Sequence, residues 1–362
     1  MSPSEDFPPL KNTLLLQAAR REKTQRAPVW LVRQAARYLP EFMEIRKSHE
    51  FFEICKTPSL ACEVTMQPIR RYTGILDGAI IFGDILVIPQ VMGMTVEVKL
   101  GPYFPDPLQT PSDLRKLKME VEIETALEYM LNAISLTRRR LEGEVPVIGF
   151  TGAPWTLLVL MTGGGSQTQK QAKRWLYSYP QETATFLGRL AEICIDFLVA
   201  QVQAGAQFLQ IFESFTGDLT MHHLHNFSFP SLRRIASGVH DRLREKELPV
   251  VPLSLFAKGA SHALAEMADL GFDVISVDHT VDLVKCREVV GDRVALHGNI
   301  DPMVLFAGKD AIEREVKRVC DAVAASGGDR GWIAGLSHGV PDGADAESVR
   351  HLLECIRQYS AT

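Results

Sequence analysis

Two arginines, Arg33 and Arg37, stand four positions apart after an early apolar run, and Arg46 follows nine positions later. Each guanidinium carries a rigid fork of N–H donors that matches carboxylate or phosphate oxygens. Three such groups close together predict a site for a ligand with several acidic groups. The alternative is a solvated face on which Glu41 and Glu44 neutralise the arginines.

Asp84 follows a strongly apolar run at residues 78–82. A carboxylate there either pairs with an arginine or accepts hydrogen bonds from the N–H groups of a ligand and offsets a developing positive charge. Polar residues follow most other apolar runs too, and any one alone would suggest a helix cap or a salt bridge. Their recurrence indicates a cleft for a polar molecule. The further members of this set are Glu213, Ser214, Lys258, Asp278, Asn299, Asp301 and His338.

The apolar runs themselves predict the fold. Runs that are apolar throughout are typical of buried parallel strands, and the longer amphipathic stretches between them predict helices. Eight strand–helix units close most economically into a single-domain α/β fold, the (β/α)8 TIM barrel, in which the residues that follow the strands share one face. The eight runs cover residues 28–31, 78–82, 146–150, 206–212, 250–256, 272–277, 294–297 and 332–336.

Helix signals agree with this alternation. Thr57 and Pro58 predict a helix start, and apolar spacing predicts helices over 127–141 and 186–197. A doubly wound sheet is the alternative architecture, but neither G-x-G-x-x-G nor G-x-x-x-x-G-K occurs, and the glycines at 163–165 lie in a loop without either pattern. We expect one domain over residues 1–362, with residues 1–8 as a flexible tail.

Composition excludes several classes of protein. Hydrophobic residues at 46% and charged residues at 23% of 362 are typical of a globular chain, not of a disordered or fibrous one. The net charge of −5 gives no sign of a nucleic-acid or membrane partner. The six cysteines contain no C-x-x-C pair and indicate free thiols in a reducing compartment.

Two further features concern location. The uncharged stretch 145–169 is too interrupted by proline and glycine for a transmembrane helix. The first residues lack the pattern of a signal or transit peptide, so we expect a cytoplasmic protein.

Seven short motifs are spread over the chain from about residue 8 to residue 358. Their residues and their order resemble those of the uroporphyrinogen decarboxylase family. The motifs are Arg33-Gln34-Ala35-Ala36-Arg37-Tyr38, Ile80-Ile81-Phe82-Gly83-Asp84-Ile85, Ile148-Gly149-Phe150-Thr151-Gly152-Ala153-Pro154-Trp155-Thr156, Phe212-Glu213-Ser214, Phe256-Ala257-Lys258, Gly298-Asn299-Ile300-Asp301-Pro302 and His338-Gly339.

The resemblance implies a homodimeric, somewhat distorted TIM barrel of haem biosynthesis that needs neither a metal nor an organic cofactor. It implies removal of the four acetate carboxyl groups of uroporphyrinogen III as CO2, which gives coproporphyrinogen III. Arg33, Arg37 and Arg46 would hold substrate carboxylates, and Asp84 would lie under the macrocycle and accept hydrogen bonds from pyrrole N–H groups. The other implied contacts are the Ala35 backbone, Phe150, Leu160, Ser214 and His338.

This chemistry fits the residue types. Loss of CO2 leaves two electrons, and protonation of the adjacent pyrrole carbon makes the ring itself their sink, so no cofactor is required. An ionised Asp84 would stabilise the cationic ring. The proton donor stays open between Asp84 and a water ordered by an arginine.

The chain departs from the family motifs at several positions, yet it keeps the arginine–aspartate–histidine set, so we expect activity, reduced at most. Leu160 falls where the family has a tyrosine that hydrogen-bonds the catalytic aspartate, with the loop alignment fixed to within one residue. The other departures are Ala36 and Ser337 in place of glycines, Gly83 in place of a serine, Phe215 in place of a histidine and His279 in place of a tryptophan.

Three other functions are open on these residues. A Schiff-base lyase would use Lys258 at a strand end. A zinc-dependent methyltransferase needs an H-x-C pattern, but His297 precedes Gly298 and Asn299. A barrel with these departures could also bind a porphyrinogen without turning it over. The histidines at 222, 223 and 225 are interpreted as a helix-surface run, not a ligand set.

Overall fold

Seven of the eight predicted runs form parallel strands of one sheet, in chain order, with helices packed outside it. A computed structural model of the chain describes residues 7–98, 102–164, 169–327 and 330–361. Residues 1–6 of the expected tail and Gly165 of the glycine loop lie outside these ranges. The described residues form a single domain, and the predicted α/β barrel class is confirmed.

The strands are short, and one small antiparallel hairpin lies outside the main sheet. The main sheet contains β1 (Ala79–Ile80), β4 (Val147–Gly152), β5 (Phe208–Glu213), β6 (Leu253–Ala257), β7 (Val274–Ser276), β8 (Ala295–His297) and β9 (Trp332–Ile333), and the hairpin contains β2 (Glu97–Val98) and β3 (Pro102–Tyr103).

The α-helices are α1 (Leu14–Ala19), α2 (Pro40–Arg46), α3 (Phe51–Lys56), α4 (Pro58–Arg71), α5 (Val87–Val91), α6 (Ile123–Ala126), α7 (Glu128–Arg140), α8 (Pro154–Met161), α9 (Lys170–Ser178), α10 (Pro180–Gln203), α11 (Met221–His223), α12 (Phe229–Glu245), α13 (Leu264–Met267), α14 (Leu283–Val290), α15 (Lys309–Ala325) and α16 (Ala346–Tyr359). Short 3-10 helices cover Pro111–Lys116, Ser261–Ala263 and Pro302–Phe306, and a π-helical turn over Leu224–Ser228 joins α11 to α12.

The first predicted run, residues 28–31, is not a regular strand. It lies between the two edges of the sheet, because Ala334 N–H donates to the Pro28 carbonyl on one side and Asp77 N–H donates to the Val29 carbonyl on the other, both at 2.8 Å. A single parallel bridge between Val29 and Ala334 is the only strand-type pairing that the structure gives this run in the described ranges. The run therefore closes the ring with one bridge instead of a ladder.

The barrel interior is filled by large apolar side chains that are fully buried. Trp30 stacks on His297 with ring centroids 4.7 Å apart, and burial lowers the pKa of His297 to about 4, so this histidine is neutral at physiological pH. Helix α1 closes the end opposite the carboxyl ends of the strands. The interior cluster comprises Leu15, Ala18, Ala19, Trp30, Ile148, Phe208, Val274, Ala295 and Ile333.

The predicted helices are confirmed in α4, α7 and α10, and Gly143 and Gly205 follow the latter two in the left-handed region at φ +80° and +114°.

All six cysteines are free and buried. Phe7 contacts the guanidinium groups of Arg138 and Arg139 and is therefore packed against α7. In the described ranges, no helix combines the length and apolar character needed to cross a membrane.

Asp77 holds the irregular first run against β1. Its side chain is fully buried and accepts two hydrogen bonds from Arg26, at 2.7 and 2.8 Å. It also accepts one from Asn12 Nδ2 at 2.7 Å and one from Val29 N–H at 2.8 Å. The hydrogen bonds that this carboxylate accepts, from charged and backbone donors, take the place of the ladder hydrogen bonds that residues 28–31 lack.

Substitution Asp77→Ala is expected to lower the free energy of unfolding by about 3–5 kcal/mol, because it leaves the Arg26 charge uncompensated and the Val29 N–H unpaired. Urea denaturation measures this change. Asp321→Ala, which breaks the exposed pair with Lys317 on α15, is the control and should cost less than about 1 kcal/mol. Equal losses in the two variants would contradict the role given to Asp77.

Candidate active site

The loop that carries the arginines is folded back onto β1 by Gln34. The buried Gln34 amide donates to the Gly78 carbonyl at 3.1 Å, and the Tyr38 hydroxyl donates to the Gln34 carbonyl at 2.7 Å. Arg33 takes a left-handed backbone conformation with φ +55°, which is unusual for a residue with a side chain. Ala35 is half-buried in the same loop.

Arg33 passes directly over Gly339, the residue after His338. A Cβ at Gly339 would lie only 2.6 Å from Arg33 Cδ, so the glycine makes room for the arginine. The Val340 N–H also donates to the Val32 carbonyl at 3.1 Å. The Arg33 side chain is exposed and forms no hydrogen bond or ion pair with any described residue. It is available to an acidic ligand.

The other two arginines have weak partners. Arg37 pairs with Asp342 at 3.1 Å, and both side chains are 64% exposed, so this pair contributes little stability. Arg46 donates to the His49 carbonyl at 2.7 Å and lies 3.8 Å from Glu50.

The carboxylates of the alternative interpretation are engaged elsewhere. Glu41 accepts two hydrogen bonds from Arg71, at 2.7 and 2.8 Å, and Glu44 pairs with Lys47 at 2.5 Å. Neither carboxylate pairs with Arg33 or Arg37, so the described contacts do not support this alternative.

Asp84 follows β1 and is 9% exposed. Its Oδ1 accepts from the Leu86 N–H at 3.2 Å, whereas Oδ2 is buried and has no partner among the described residues. Burial raises the pKa of Asp84 to about 6, against the opposing effect of the Leu86 and Ile85 N–H groups. A buried, unpaired carboxylate oxygen is costly, and a ligand with N–H donors would relieve that cost.

The Cys55 thiol, on α3, experiences the charges of both Asp84 and Arg46. Burial raises the pKa of this thiol, the negative charge of Asp84 raises it further, and the positive charge of Arg46 lowers it. Both charges therefore act on the same thiol. The Tyr129 phenol on α7 also experiences the Asp84 charge, although burial is the main cause that raises its pKa to about 12.

Phe150, at the middle of β4, lies next to Gly83, the residue before Asp84. A Cβ at Gly83 would lie 3.3 Å from Phe150 Cζ and 3.2 Å from Met130 Cε. The space that a serine side chain would take at position 83 is thus already occupied. Phe150 is buried and meets Phe212 edge-on at 6.0 Å.

Leu160 is half-buried in the last turn of α8. This helix packs against α5, which begins three residues after Asp84. Leu160 and Asp84 form no hydrogen bond with each other. An aliphatic side chain at position 160 has no group that could donate a hydrogen bond to the carboxylate.

Ser214 follows β5, and a hydrogen-bond network centred on the buried Glu213 fixes its backbone. Ser214 N–H donates to Thr156 Oγ1 at 2.7 Å, and this hydroxyl in turn donates to Glu213 at 2.5 Å. Ser228 donates to the other oxygen of Glu213 at 3.3 Å. Glu213 is completely buried, and burial raises its pKa to about 7 despite these donors.

His338 follows β9 and is half-buried, with its Nδ1 3.2 Å from the Gly339 carbonyl. Burial lowers the pKa of His338, and the positive charges of Lys258 and His279 lower it further. Lys258 itself is exposed. A Schiff-base lysine needs a desolvated pocket, which the exposed Lys258 side chain lacks.

The described contacts unite part of the predicted site. They place Arg33 beside the His338 loop and Phe150 beside the glycine that precedes Asp84. Ser214 and Leu160 lie on neighbouring elements without a described contact to Asp84. Sequence reasoning assigns no role to Cys55 or to Thr156, although Thr156 lies in one of the seven motifs. It includes Glu213 only among the polar residues that follow strands.

Metal ligation has no candidate in the described part of the chain, where no three His, Cys, Asp or Glu side chains are grouped to hold an ion. Of the histidines at 222, 223 and 225, only His223 is buried.

Comparison with known proteins gives a consistent family assignment. A family model described as Uroporphyrinogen decarboxylase (URO-D) matches residues 10–359. A uroporphyrinogen decarboxylase of Danio rerio is 45% identical over 359 residues, which cover 98% of this chain and 96% of the relative. A bacterial relative of the same name, from Salinibacter ruber, is 44% identical and is covered over 98% of both chains.

Solved structures agree on the fold. A methyltransferase from Methanosarcina mazei superimposes with a TM-score of 0.80 over 98% of this chain and 99% of the other, at 22% sequence identity. A B12-independent methionine synthase from Shewanella gives a TM-score of 0.55 at 10% identity. These similarities concern the fold alone.

The Glu213 network predicts a pH effect on stability. The folded state binds the proton of the Glu213 carboxyl more tightly than the unfolded chain does. The stabilisation of the fold by this proton is full below the ordinary glutamate pKa of 4.5 and is lost as the pH rises through about 7. The melting temperature of Glu213→Gln, relative to that of the wild type, should therefore increase between these pH values and level off above them. The exposed Glu347→Gln variant should show no such trend. A pH-independent difference for Glu213→Gln would contradict the assignment.

Proposed function

The chain belongs to the uroporphyrinogen decarboxylase family, and we propose that the site around Asp84 and Arg33 carries out that family's reaction. The chain is accordingly a carboxy-lyase of haem biosynthesis that acts on uroporphyrinogen. The observation that supports the assignment of the site is Asp84 Oδ2, which is buried just after strand β1 and has no partner among the described residues. Arg33, which has no hydrogen bond or ion pair with any described residue, follows the adjacent run.

The arginines bind and orient the substrate. A porphyrinogen with eight carboxylates needs several cations, and Arg33 and Arg37 can donate to them without breaking a buried ion pair. Arg46, His338 and the hydroxyl of Ser214 would hold further carboxylates, while the Ala35 backbone contributes polar contacts. Phe150 and Leu160 offer apolar surface to the macrocycle.

Asp84 stabilises charge at the reacting ring. A proton adds to the pyrrole carbon next to the acetate arm, and the ring becomes cationic. The bond between the methylene and its carboxylate then breaks, CO2 leaves, and the bonding electrons neutralise the ring. A second proton converts the exocyclic methylene into a methyl group, and the ring carbon returns its own proton. The net change is one proton taken up for each CO2 released.

The geometry supports an ionised Asp84 in the complex. Pyrrole N–H groups under the ring would give Oδ2 the partners that it lacks, and hydrogen bonds to a carboxylate favour its ionised form. Because an ionised Asp84 carries no proton, a water ordered by Arg33 would deliver the first proton. We also propose that the protein acts in the cytoplasm as a homodimer, which is the arrangement that the family implies and the commonest closed symmetry.

The direct test is incubation of the purified protein with uroporphyrinogen, followed by chromatography of the oxidised products. We expect products with seven, six, five and finally four carboxyl groups. Unchanged substrate that nevertheless binds would indicate a porphyrinogen-binding protein without turnover. Trapping of the substrate by borohydride would indicate a Schiff base on Lys258 instead.

The Asp84→Asn variant should lose turnover on the order of 10²-fold, since the amide keeps the shape of the carboxylate and lacks its charge. Product binding should remain close to that of the wild type. In the wild type, kcat/KM should fall below about pH 6, where Asp84 becomes protonated in the free enzyme. The exposed Asp321→Asn variant is the control. Near-normal turnover of Asp84→Asn would mean that this carboxylate only supports the structure.

The Leu160→Tyr variant should raise kcat, up to about 10-fold if about 1.4 kcal/mol is recovered in the transition state. A phenol that donates to ionised Asp84 also lowers the pKa of the carboxyl, so the acidic limb of the pH–rate profile should move downward. Leu160→Phe, which adds the ring without the hydroxyl, is the matched control. An unchanged kcat together with an unmoved acidic limb would show that the hydroxyl is not needed, with a water in its place.

A further inference from the structure

The three arginines of the site all belong to the segment that follows one member of the barrel wall. The seven strands of the main sheet and the run at residues 28–31 form a ring of eight members, in chain order. Arg33 follows the first member, and Arg37 and Arg46 come next along the chain, before β1. Strand β6 is the fifth member, and it therefore lies half a turn around the ring from the run that precedes Arg33.

This arrangement leaves part of the substrate without a cation. A porphyrinogen carries its eight carboxylates around the whole rim of the macrocycle. A macrocycle that lies across the mouth of the barrel directs some of these acidic arms away from the arginine segment. Removal of a carboxylate from water is costly unless a charged or polar donor replaces the water. The arms on the far side therefore need a donor on the opposite wall.

Lys258 starts from the inner side of that opposite wall. Ser254 on β6 is paired in register with Val274 on β7, and Val274 belongs to the buried interior cluster. Side chains alternate along a strand, so Lys258, four residues after Ser254, has the same inward direction. The Lys258 N–H donates to the Glu213 carbonyl at 2.9 Å, so the pairing with β5 extends to this residue at the carboxyl end of the wall.

Neighbouring loops hold the backbone around Lys258. The Thr216 hydroxyl donates to the Lys258 carbonyl at 3.1 Å, and the Gly259 N–H donates to Asp278 Oδ2 at 2.6 Å. Gly259 has φ +76°, and a Cβ there would lie 2.7 Å from Gly217 Cα, so the two loops are in close contact. The long Lys258 side chain therefore extends from a fixed point.

The Lys258 side chain is exposed, and no hydrogen bond or ion pair joins it to another residue in the described part of the chain. The carboxylates on the two neighbouring strands have other donors: Thr156 and Ser228 for Glu213, and the Gly259 N–H for Asp278. No internal partner thus competes with a ligand for the ammonium group.

The ammonium group faces the same space as His338. Burial lowers the pKa of His338, and the positive charge of Lys258 lowers it further, so the two side chains are near enough for their charges to interact. Lys258 is also the one lysine or arginine among the polar residues, named above, that follow strands of the main sheet. It supplies a permanent positive charge on the side of the mouth away from Arg33.

We propose that Lys258 binds an acidic arm of the substrate on the wall opposite Arg33, in the space that it shares with His338. The inference rests on the proposed function and deepens it, because it assigns a cation to the arms that the arginine segment does not face. The role is ionic binding by the protonated amine.

The binding test titrates uroporphyrin, the stable oxidised macrocycle with the same carboxylates, against the wild type, Lys258→Gln and Lys258→Arg, and follows porphyrin fluorescence. Glutamine keeps a polar side chain without charge, whereas arginine keeps the charge. We expect a Kd about 10-fold higher for Lys258→Gln and within about 3-fold of the wild type for Lys258→Arg. Equal Kd values for the wild type and Lys258→Gln, or equal losses in the two variants, would overturn the proposal.

Salt separates an effect of charge from an effect of shape. Mobile ions screen an exposed cation, so the ratio of the Kd values of Lys258→Gln and the wild type should shrink between about 0.05 M and about 0.5 M salt. The matched control is Lys285→Gln, which removes an exposed lysine on α14, outside the barrel. It should keep the wild-type Kd at both salt concentrations. A loss in Lys258→Gln that does not depend on salt would contradict the ionic role.

Stability and kinetics exclude an indirect effect. Lys258→Gln should melt within about 2 °C of the wild type, because an exposed side chain without an ion pair contributes little to folding. On uroporphyrinogen its KM should rise about 10-fold at low salt, with kcat within about 2-fold, as expected for a contact made equally in the ground state and the transition state. A large fall in kcat at unchanged KM would refute the binding role.

The titration also keeps this test separate from that of the proposed function, because uroporphyrin binds without turnover. A wild type that fails to decarboxylate but binds uroporphyrin more tightly than Lys258→Gln would refute the proposed function and support this inference. An active wild type whose Lys258→Gln variant binds uroporphyrin equally tightly would support the proposed function and refute this inference.

Discussion

The closure of the barrel by a buried carboxylate is the constraint on which the site depends. Residues 28–31 have one strand-type bridge in the described ranges, and the Asp77 carboxylate accepts hydrogen bonds from Arg26 and Val29 in place of a ladder. Arg33 follows this run by two residues, and Asp84 follows β1 by four. The ion pair between Arg26 and Asp77, near the other end of the same two segments, thus fixes the position of the arginine loop relative to Asp84.

Three buried carboxylates illustrate how environment assigns roles to one functional group. Asp77 has an arginine, an asparagine and a backbone donor, and it serves structure. Glu213 has two hydroxyl partners, and it connects α8 to the Ser214 loop. Asp84 keeps one oxygen without a partner in the described structure. An unpaired buried acceptor costs about 1–3 kcal/mol, a cost that is offset only when a ligand donates to it.

The departures from the family motifs are compatible with an intact cleft. Gly83 accommodates the Phe150 and Met130 side chains, which occupy the place of a serine side chain. His279 and Ser337 form a hydrogen bond with each other, so this bond requires both departures from the motifs. The 45% identity to a Danio rerio uroporphyrinogen decarboxylase over nearly the full length agrees with the family's reaction.

The sequence by itself determined the fold class, the family and the identity of the candidate residues. Apolar runs repeat with a spacing that only a covered parallel sheet satisfies, and motifs such as that around Arg33 are contiguous along the chain. Contacts between residues distant in sequence were decided by tertiary structure alone. Glu41 binds Arg71 and not the neighbouring arginines, and Asp77 closes the ring, because pairings of this kind depend on which elements pack together and how far each side chain is removed from water. The proximity of His279 to Ser337 has the same origin: parallel strands bring their carboxyl ends to one face whatever the length of chain between them.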